Sequence, residues 1–199
     1  MLIEQVKKDL IPLVENKGQE EVLFQVEIDY LQKHELLSAD EANLKVTNSL
    51  SRFREAYIER SNKETDESLG VEESSFLNES ISYLRHHKAE FIYIESKWFE
   101  MIGVDSLSLE VDDVFGTYDV MLGLKLKKKA ENNIKEYLNQ HHSEKEYKFN
   151  LMFNQQDGLW DLNFPLDLVE NVTESSSIGD VLATIYQFLF KLVEFVEEK

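Results

Sequence analysis

The chain has 199 residues, of which 42% are hydrophobic and 30% are charged, so it holds enough apolar material for one sizeable core or two small ones. It has no cysteine, which excludes disulfides, thiolate zinc sites and a cysteine nucleophile. Asp and Glu number 39 against 21 Lys and Arg, and the net charge of −18 repels phosphate backbones and anionic lipids. We therefore expect no binding to nucleic acid and none to membranes.

The N-terminal residues predict the cellular location. The segment MLIEQVKKDLIPLVENK lacks a basic stretch followed by an apolar run, so it does not resemble a signal peptide. No segment of 18 residues is free of charge, so no membrane span is predicted. We expect a cytoplasmic protein.

The N-terminal third of the chain shows helical periodicity. Its first helix is interrupted at Pro12, because proline cannot donate a hydrogen bond to the carbonyl four residues back. Residues 21–31 fit both the strand and the helix period, and we favour a helix because Glu, Gln, Leu and Lys form helices well. Ser38 and Glu41 have the spacing of a capping box and predict the start of a further helix. The apolar face of that helix consists of Val46, Leu50, Phe53 and Tyr57.

The middle of the chain is less regular. A polar stretch at 63–73 has no periodicity and is interpreted as a linker. Residues 75–102 are interpreted as mostly helical, with Gly103 as a C-terminal cap. The sequence EFIYIE at 90–95 is dense in aromatic and β-branched residues, so a strand remains an alternative there.

Beyond Gly103 the apolar residues follow the strand period. Residues 107–111 and 118–126 alternate apolar and polar positions on either side of a turn and predict a hairpin. The lysine-rich segment that follows predicts a helix. The buried positions of this helix are Ala130, Ile134 and Leu138.

The segment 147–166 predicts a second hairpin around Asp157 and Gly158. Asp-Gly is the preferred pair for a two-residue type I′ turn, because both positions need positive φ. With this pair at the tip, the predicted neighbours are Phe153 and Leu162, Leu151 and Phe164, and Phe149 and Leu166. Asp157 is therefore interpreted as a turn residue rather than as a catalytic acid.

The last helix is predicted to start near Ser177, with Asp180 three residues later as a partial capping box. Its apolar positions cover far more than the stripe of roughly 100° that a surface helix usually shows. A sheet can cover the main stripe, but aromatic residues on its two flanks need a second cover. These candidate interface residues are Tyr186, Phe188, Phe190 and Phe195. We expect a homodimer or a bound partner to cover them, and the alternative is cover by the N-terminal helices of the same chain.

Together these elements predict an α+β protein. A helical N-terminal region (1–62) and a linker (63–73) precede an α+β domain (74–199), unless the N-terminal helices join that domain in one compact unit. The domain has the order β-β-α-β-β-α, in which two hairpins form a four-stranded antiparallel sheet covered by helices on one face. In element order and acidic charge the chain is similar to type III secretion chaperones, a likeness that implies a small dimeric binding protein.

The chain contains no motif that indicates a particular reaction. It lacks the P-loop, the dinucleotide-binding and the serine-hydrolase glycine motifs. The adjacent histidines at 86–87 and 141–142 are poor metal chelates, because neighbours on a helix point about 100° apart. Lys125 and the run 127–129 form a basic cluster that is interpreted as a solvated junction between strand and helix. We expect no catalytic residue, no cofactor and no metal site.

The excess of acids serves solubility alone or forms a surface that meets basic partners. The leading hypothesis is a non-enzymatic acidic protein-binding module, of the immunity, antitoxin, inhibitor or secretion-chaperone type, that engages a basic protein partner. One alternative is a small hydrolase or metal-dependent enzyme that uses scattered Asp, Glu and His. Another is a structural or regulatory module that binds through its N-terminal helices.

Overall fold

A computed structural model of the chain describes residues 2–15, 23–37, 49–141 and 149–199. The α-helices of this part are α1 (Leu2–Asp9), α2 (Ile11–Glu15), α3 (Gln25–Lys33), α4 (Ser49–Arg52), α5 (Tyr83–His86), α6 (Lys97–Met101), α7 (Glu131–Gln140) and α8 (Ile178–Glu197). Its strands are β1 (Tyr57–Asn62), β2 (Ser68–Val71), β3 (Glu90–Glu95), β4 (Val104–Val111), β5 (Tyr118–Leu124), β6 (Asn150–Asn154) and β7 (Leu159–Pro165). Short 3₁₀ turns lie at Ser74–Asn78, Lys128–Ala130 and Leu166–Leu168.

The strands form a seven-stranded sheet in the order β2-β1-β3-β4-β5-β7-β6, and every neighbouring pair is antiparallel. The predicted class, α+β with N-terminal helices and an antiparallel sheet, is confirmed, but the prediction of four strands is wrong. The two predicted hairpins are β4–β5 and β6–β7, and the additional strands are β1, β2 and β3. Since β1 lies in the expected helical region and β2 in the expected linker, the sheet crosses the division that the sequence suggested.

Periodicity does not reveal β1 and β2 because these strands bury few side chains. In β1 only Ile58 and Ser61 are buried, and no residue of β2 is buried. The aromatic and β-branched residues at 90–95 do form a strand, β3, which interrupts the expected helix at 75–102. Gly103 ends α6 with a φ of +80°, which agrees with its predicted role as a cap.

The described segments before β1 are largely helical, as expected. Tyr57, however, which the sequence predicts on the apolar face of the helix that starts at Ser38, is the first residue of strand β1, so that part of the prediction is wrong. The ambiguous segment 21–31 contains α3, as favoured, and Pro12 is the second residue of α2, just after the chain breaks from α1 at Leu10. The predicted capping box at Ser38 and Glu41 lies outside the described residues.

Side chains alternate along the strands, so that one face of the sheet is buried beneath the helices. Leu107 and Leu109 of β4 and Val120 of β5 are buried on this covered face. Phe164 of β7 contacts Phe188 of α8, with ring centroids 5.6 Å apart, so the closing helix packs directly on the sheet. The positions between the buried ones are mostly half-buried or exposed.

The three hairpins of the sheet close with the same five-residue turn. In each turn the side-chain oxygen of the first residue accepts hydrogen bonds from the backbone N–H groups two and three residues later. The fifth residue has positive φ and donates its N–H to the first carbonyl over 2.9 Å. The first residues are Asn62, Asp112 and Asn154, and the fifth residues are Asp66, Gly116 and Gly158. Local asparagine and aspartate chemistry thus shapes every hairpin.

This turn shifts the β6–β7 hairpin by two residues from the predicted register. Phe153 lies opposite Trp160 rather than Leu162, so the prediction of a two-residue loop is wrong. Asn154 holds the backbone of the loop from its first position, and residues 155–158 all lie between the strands. A shift of two preserves the alternation, and the apolar residues therefore stay on the predicted face.

A buried ion pair fixes α3 and α4 against the closing helix. Glu27 of α3 is 0% exposed, and its carboxylate accepts hydrogen bonds from Arg52 of α4 and from the hydroxyl of Tyr186 of α8. The backbone N–H of Phe24 donates a third hydrogen bond at 2.8 Å, and the Arg52 guanidinium lies 3.6 Å from the centroid of the Trp98 ring. Burial raises the pKa of the Glu27 carboxyl, although Arg52 opposes the shift. The two charges keep one another as partners only while these helices stay docked, and the buried Nε of Arg52 has no hydrogen-bond partner among the described residues.

Replacing Gly158 with Val should lower the free energy of unfolding by about 1–2 kcal/mol, because a β-branched residue resists positive φ. No neighbouring atom lies within 4 Å of the position that a Cβ would take, so backbone strain alone sets the effect. Gly158→Asn is the matched control and should lose much less, since asparagine tolerates this conformation. Urea denaturation measures both variants, and equal losses would contradict the turn assignment.

Replacing Arg52 with Met should lower the free energy of unfolding by about 3–5 kcal/mol, because it leaves the Glu27 carboxylate buried without its cation. The double variant Arg52→Met with Glu27→Gln should recover much of this loss, since the neutral amide still accepts hydrogen bonds. Chemical denaturation of both proteins is the test. A double variant no more stable than Arg52→Met would show that the lost packing on Trp98, rather than the charge, is responsible.

Candidate functional site

The second face of the sheet carries the side chains that alternate with the buried ones, and we call it the open face. Directly paired residues point to the same side of a sheet, so the strand register defines its members. The buried Ser61, which pairs with Phe91, lies on this side. Further members of the face are Tyr57, Glu59, Phe91, Tyr93, Glu95, Ser108, Glu110, Asp119, Met121, Met152, Asp161 and Asn163. All of these further side chains are half-buried or exposed.

The open face carries more carboxylates than cations, and the two lysines that reach it, Lys63 and Lys125, lie just after the ends of β1 and β5. Arg60 is the only Lys or Arg within the described strands, and it lies opposite the buried Ile92, on the covered face. There its guanidinium donates hydrogen bonds to Glu72 at 2.6 Å and to Glu90 at 3.2 Å. The acids of the open face are Glu59, Glu95, Glu110, Asp119 and Asp161. Asp105 of β4 lies on the same side beside Gly123, and the ammonium of Lys125 pairs with it at 2.7 Å.

Two tyrosines of the open face donate hydrogen bonds to carboxylates on their own strands. The hydroxyl of Tyr93 donates to Glu95 at 2.6 Å, and that of Tyr57 donates to Glu59. The two rings meet edge to face, with centroids 6.4 Å apart. The hydrogen bond from Tyr57 lowers the pKa of Glu59, which keeps this carboxylate ionised. An ionised carboxylate beside an aromatic ring suits a guanidinium or ammonium group, which gains from both.

Two carboxylates face one another near the end of the β4–β5 hairpin. Glu110 lies directly opposite Asp119. Burial raises the pKa of both groups, and the charge of Asp119 adds to the rise at Glu110. The ammonium of Lys63 opposes this rise from 3.8 Å away, but its closest contact is the carbonyl of Val111 at 2.6 Å. Because like charges directly opposite in a sheet are destabilising, the fold holds this pair at a cost in stability.

Exposed apolar side chains lie at both margins of the open face. Val71 of the edge strand β2 lies opposite Glu59 and is 61% exposed. Met152 of the other edge strand, β6, lies opposite Asp161 and is 60% exposed. An acidic centre with exposed apolar groups at its margins is a surface that suits contact with another protein.

The predicted interface residues of the closing helix do not form a surface. They are Tyr186, Phe188, Phe190 and Phe195, of which the first three are buried and the last is partly buried. Tyr30 of α3 covers Phe190, with ring centroids 5.5 Å apart, and Tyr137 of α7 contacts Phe188 at 5.4 Å and Phe195 at 5.5 Å. The second cover that these rings need is therefore supplied within the chain. This removes the geometric reason for a homodimer, which itself stays a prediction.

The adjacent histidines that the structure describes and Asp157, which the sequence offers as candidate metal ligands and as a candidate acid, make structural contacts instead. Nδ1 of His86, His87 and His141 each lies 2.8–2.9 Å from the backbone carbonyl four residues earlier, so each ring binds its own helix end. Asp157 accepts a hydrogen bond at 2.8 Å from the side chain of Asn154 within its turn. His142 lies outside the described residues.

The acids of the open face are hard to distinguish in the sequence from the many other carboxylates. A usable signal exists for Glu110 and Asp119, which occupy polar positions of strands that the alternation predicts. Glu59 and Glu95 carry no such signal, because β1 shows no strand period and the segment of β3 fits a helix as well. Their meeting on one surface depends on the register between distant strands.

No protein-family model, curated protein or solved structure matches this chain. Among the described residues, no helix is long and apolar enough to cross a membrane. The function must therefore be inferred from the surface of the chain itself.

Replacing Glu110 with Gln should raise the free energy of unfolding at neutral pH by about 0.5 kcal/mol, because it removes one of two opposed like charges. The folded pKa of Glu110 and of Asp119 is raised, so the wild-type pair loses stability as pH rises above their usual values of 4.5 and 3.8. The advantage of the variant should therefore vanish below about pH 4, where both carboxyls are protonated.

Urea denaturation at both pH values tests this expectation. Glu4→Gln, on the exposed side of α1, is the control for the change in net charge and should alter stability little at either pH. A Glu110→Gln variant that is less stable than wild type at neutral pH would mean that Lys63 already compensates the pair.

Proposed function

We propose that the chain is a non-enzymatic, acidic protein-binding module whose open face engages a basic protein partner. Immunity proteins, antitoxins, inhibitors and secretion chaperones are modules of this kind. The observation that supports the proposal is that the open face gathers six carboxylates from β1, β3, β4, β5 and β7, whereas only Lys63 and Lys125 reach it from the ends of the described strands.

The opposed pair of carboxylates favours a cationic group from outside. Glu110 and Asp119 repel one another in the free protein, and the ammonium of Lys63 compensates them only from a distance of 3.8 Å at Glu110. A basic side chain placed between the two carboxylates would remove this repulsion. The free energy gained by removing this repulsion would then contribute to the affinity for the partner.

The tyrosine–carboxylate pairs favour arginine or lysine at a second position. Glu59 and Glu95 accept hydrogen bonds from the hydroxyls of Tyr57 and Tyr93, respectively. A cation can therefore contact a carboxylate and an aromatic ring together. A cation–π contact at an exposed site contributes about 0.5–1 kcal/mol. Several such positions on one rigid sheet are already in place before binding, which reduces the entropy lost on association.

The net charge of −18 extends this preference beyond direct contact. Complementary charge mainly raises the association rate, and screening at a Debye length of roughly 8 Å in physiological salt weakens it. Association with a basic partner should therefore slow as salt rises.

A fluorescent oligoarginine peptide is a defined probe for the basic partner. The triple variant Glu59→Gln, Glu95→Gln, Asp161→Asn removes charge from the open face. Its dissociation constant for the peptide at low salt should rise about tenfold, if each lost ion pair contributes about 0.5 kcal/mol. Fluorescence anisotropy measures the change, and the difference from wild type should shrink at high salt.

A matched triple variant separates the open face from net charge alone. Glu4→Gln, Asp29→Asn and Glu131→Gln remove the same charge from exposed positions on helices α1, α3 and α7. This control should weaken binding by no more than about twofold. Equal losses in the two triple variants would show that the peptide senses only the total charge, and the open face would not be the binding site.

A further inference from the structure

A cluster of metal-ligating side chains lies away from the open face, where the C-terminal ends of α3 and α8 meet. His34 caps the end of α3, and Glu194 and Glu198 lie one turn apart near the end of α8. A ring nitrogen of the histidine and one carboxylate oxygen of each glutamate lie within 4.8 Å of one another. Within the described part of the chain, no other group of His, Asp and Glu comes together in this way.

The imidazole of His34 has a polar atom that the fold does not use. Its Nε2 is sealed from solvent and has no hydrogen-bond partner among the described residues. Buried polar atoms without a partner are rare, because each loses its hydrogen bonds to water. The ring of Tyr30 packs against the imidazole with centroids 4.2 Å apart and limits its orientation. The histidine is therefore held in place with one ring nitrogen that has no partner among the described residues.

A cation already occupies the oxygen side of this cluster. The ammonium of Lys33 lies 2.9 Å from Glu194 and also contacts Glu198. Its side chain is 50% exposed, so it can move into solvent without disturbing the core. The site already attracts one positive charge, and the ammonium that holds this position belongs to a half-exposed side chain.

We propose that His34, Glu194 and Glu198 bind a divalent transition-metal ion of the Zn²⁺ class, which displaces the ammonium of Lys33. One imidazole nitrogen and two carboxylates form a ligand set that Zn²⁺ accepts, with water in the remaining position. Mg²⁺ and Ca²⁺ prefer oxygen ligands throughout and gain little from a histidine. The ion would join the end of α3 to the end of the closing helix. Because it would bind the folded chain and not the unfolded one, it would raise the stability of the fold.

Calorimetric titration with zinc chloride, followed by thermal unfolding with and without zinc, tests the site in the full chain. Wild type should bind one equivalent and melt at a higher temperature with zinc, whereas magnesium chloride should give neither effect. His34→Gln and Glu198→Gln should each lose more than about tenfold in zinc affinity, since even outer-sphere partners of a metal have effects of that size. The Glu198 side chain is 44% exposed, so its variant should fold normally.

Lys33→Met provides the sharper comparison. If the ammonium competes with zinc for the same oxygens, this variant should bind zinc several-fold more tightly than wild type. Lys135→Met removes the same charge from α7, where the lysine pairs with Glu131 at 2.5 Å, and should leave zinc affinity unchanged.

Three results would overturn the proposal. One is the absence of zinc binding to wild type, and another is a His34→Gln protein that binds zinc as wild type does, which would indicate adventitious binding to surface carboxylates. The third is equal zinc affinity in Lys33→Met and Lys135→Met, because the ion would then not take the place of the ammonium. Each result is independent of the oligoarginine experiment, since the open face keeps all of its acids in these variants.

Discussion

The alternation of side chains along an antiparallel strand is the constraint on which the structure depends. Apart from register shifts in β1 and β4, successive residues of the strands point to opposite faces of the sheet, and the helices cover only one of these faces. The apolar core forms on the covered face, where the closing helix meets Phe164. The same geometry gathers the polar positions of distant segments on the other face. An acidic open face therefore follows from the strand register once those positions are filled with Glu and Asp.

The two acidic sites of this chain differ in how their charge is balanced. On the open face Glu110 and Asp119 oppose one another, and the ammonium of Lys63 lies 3.8 Å from Glu110. Near the end of α8 the ammonium of Lys33 contacts both carboxylates directly. A surface that keeps like charges opposed gains from an external cation, whereas a cluster that already holds an ammonium must exchange it. The first arrangement suits a basic protein and the second suits a small ion.

Local patterns in the sequence predict the elements whose burial is regular, and tertiary contacts decide the rest. The β4–β5 hairpin and the closing helix are predictable because their apolar positions repeat with a single period. The predicted β6–β7 register differs from the observed one by two residues. The prediction places a two-residue turn at Asp157-Gly158, whereas the loop forms around the side chain of Asn154. The cover of Phe190 by Tyr30 joins segments far apart in sequence, so no local pattern can separate it from cover by a second chain. For the same reason the sequence shows the acids of the open face but cannot show that they meet on one surface.

The most direct test of the central claim is to locate the surface that a basic peptide contacts. Titration of isotopically labelled protein with the oligoarginine peptide, followed through the backbone amide signals by NMR, gives that location without any substitution. We expect the largest shifts in β1, β3, β4 and β5, at and beside Glu59, Glu95, Glu110 and Asp119. Shifts concentrated at the end of α8, or spread evenly over the acidic helices, would contradict the assignment of the open face as the binding surface.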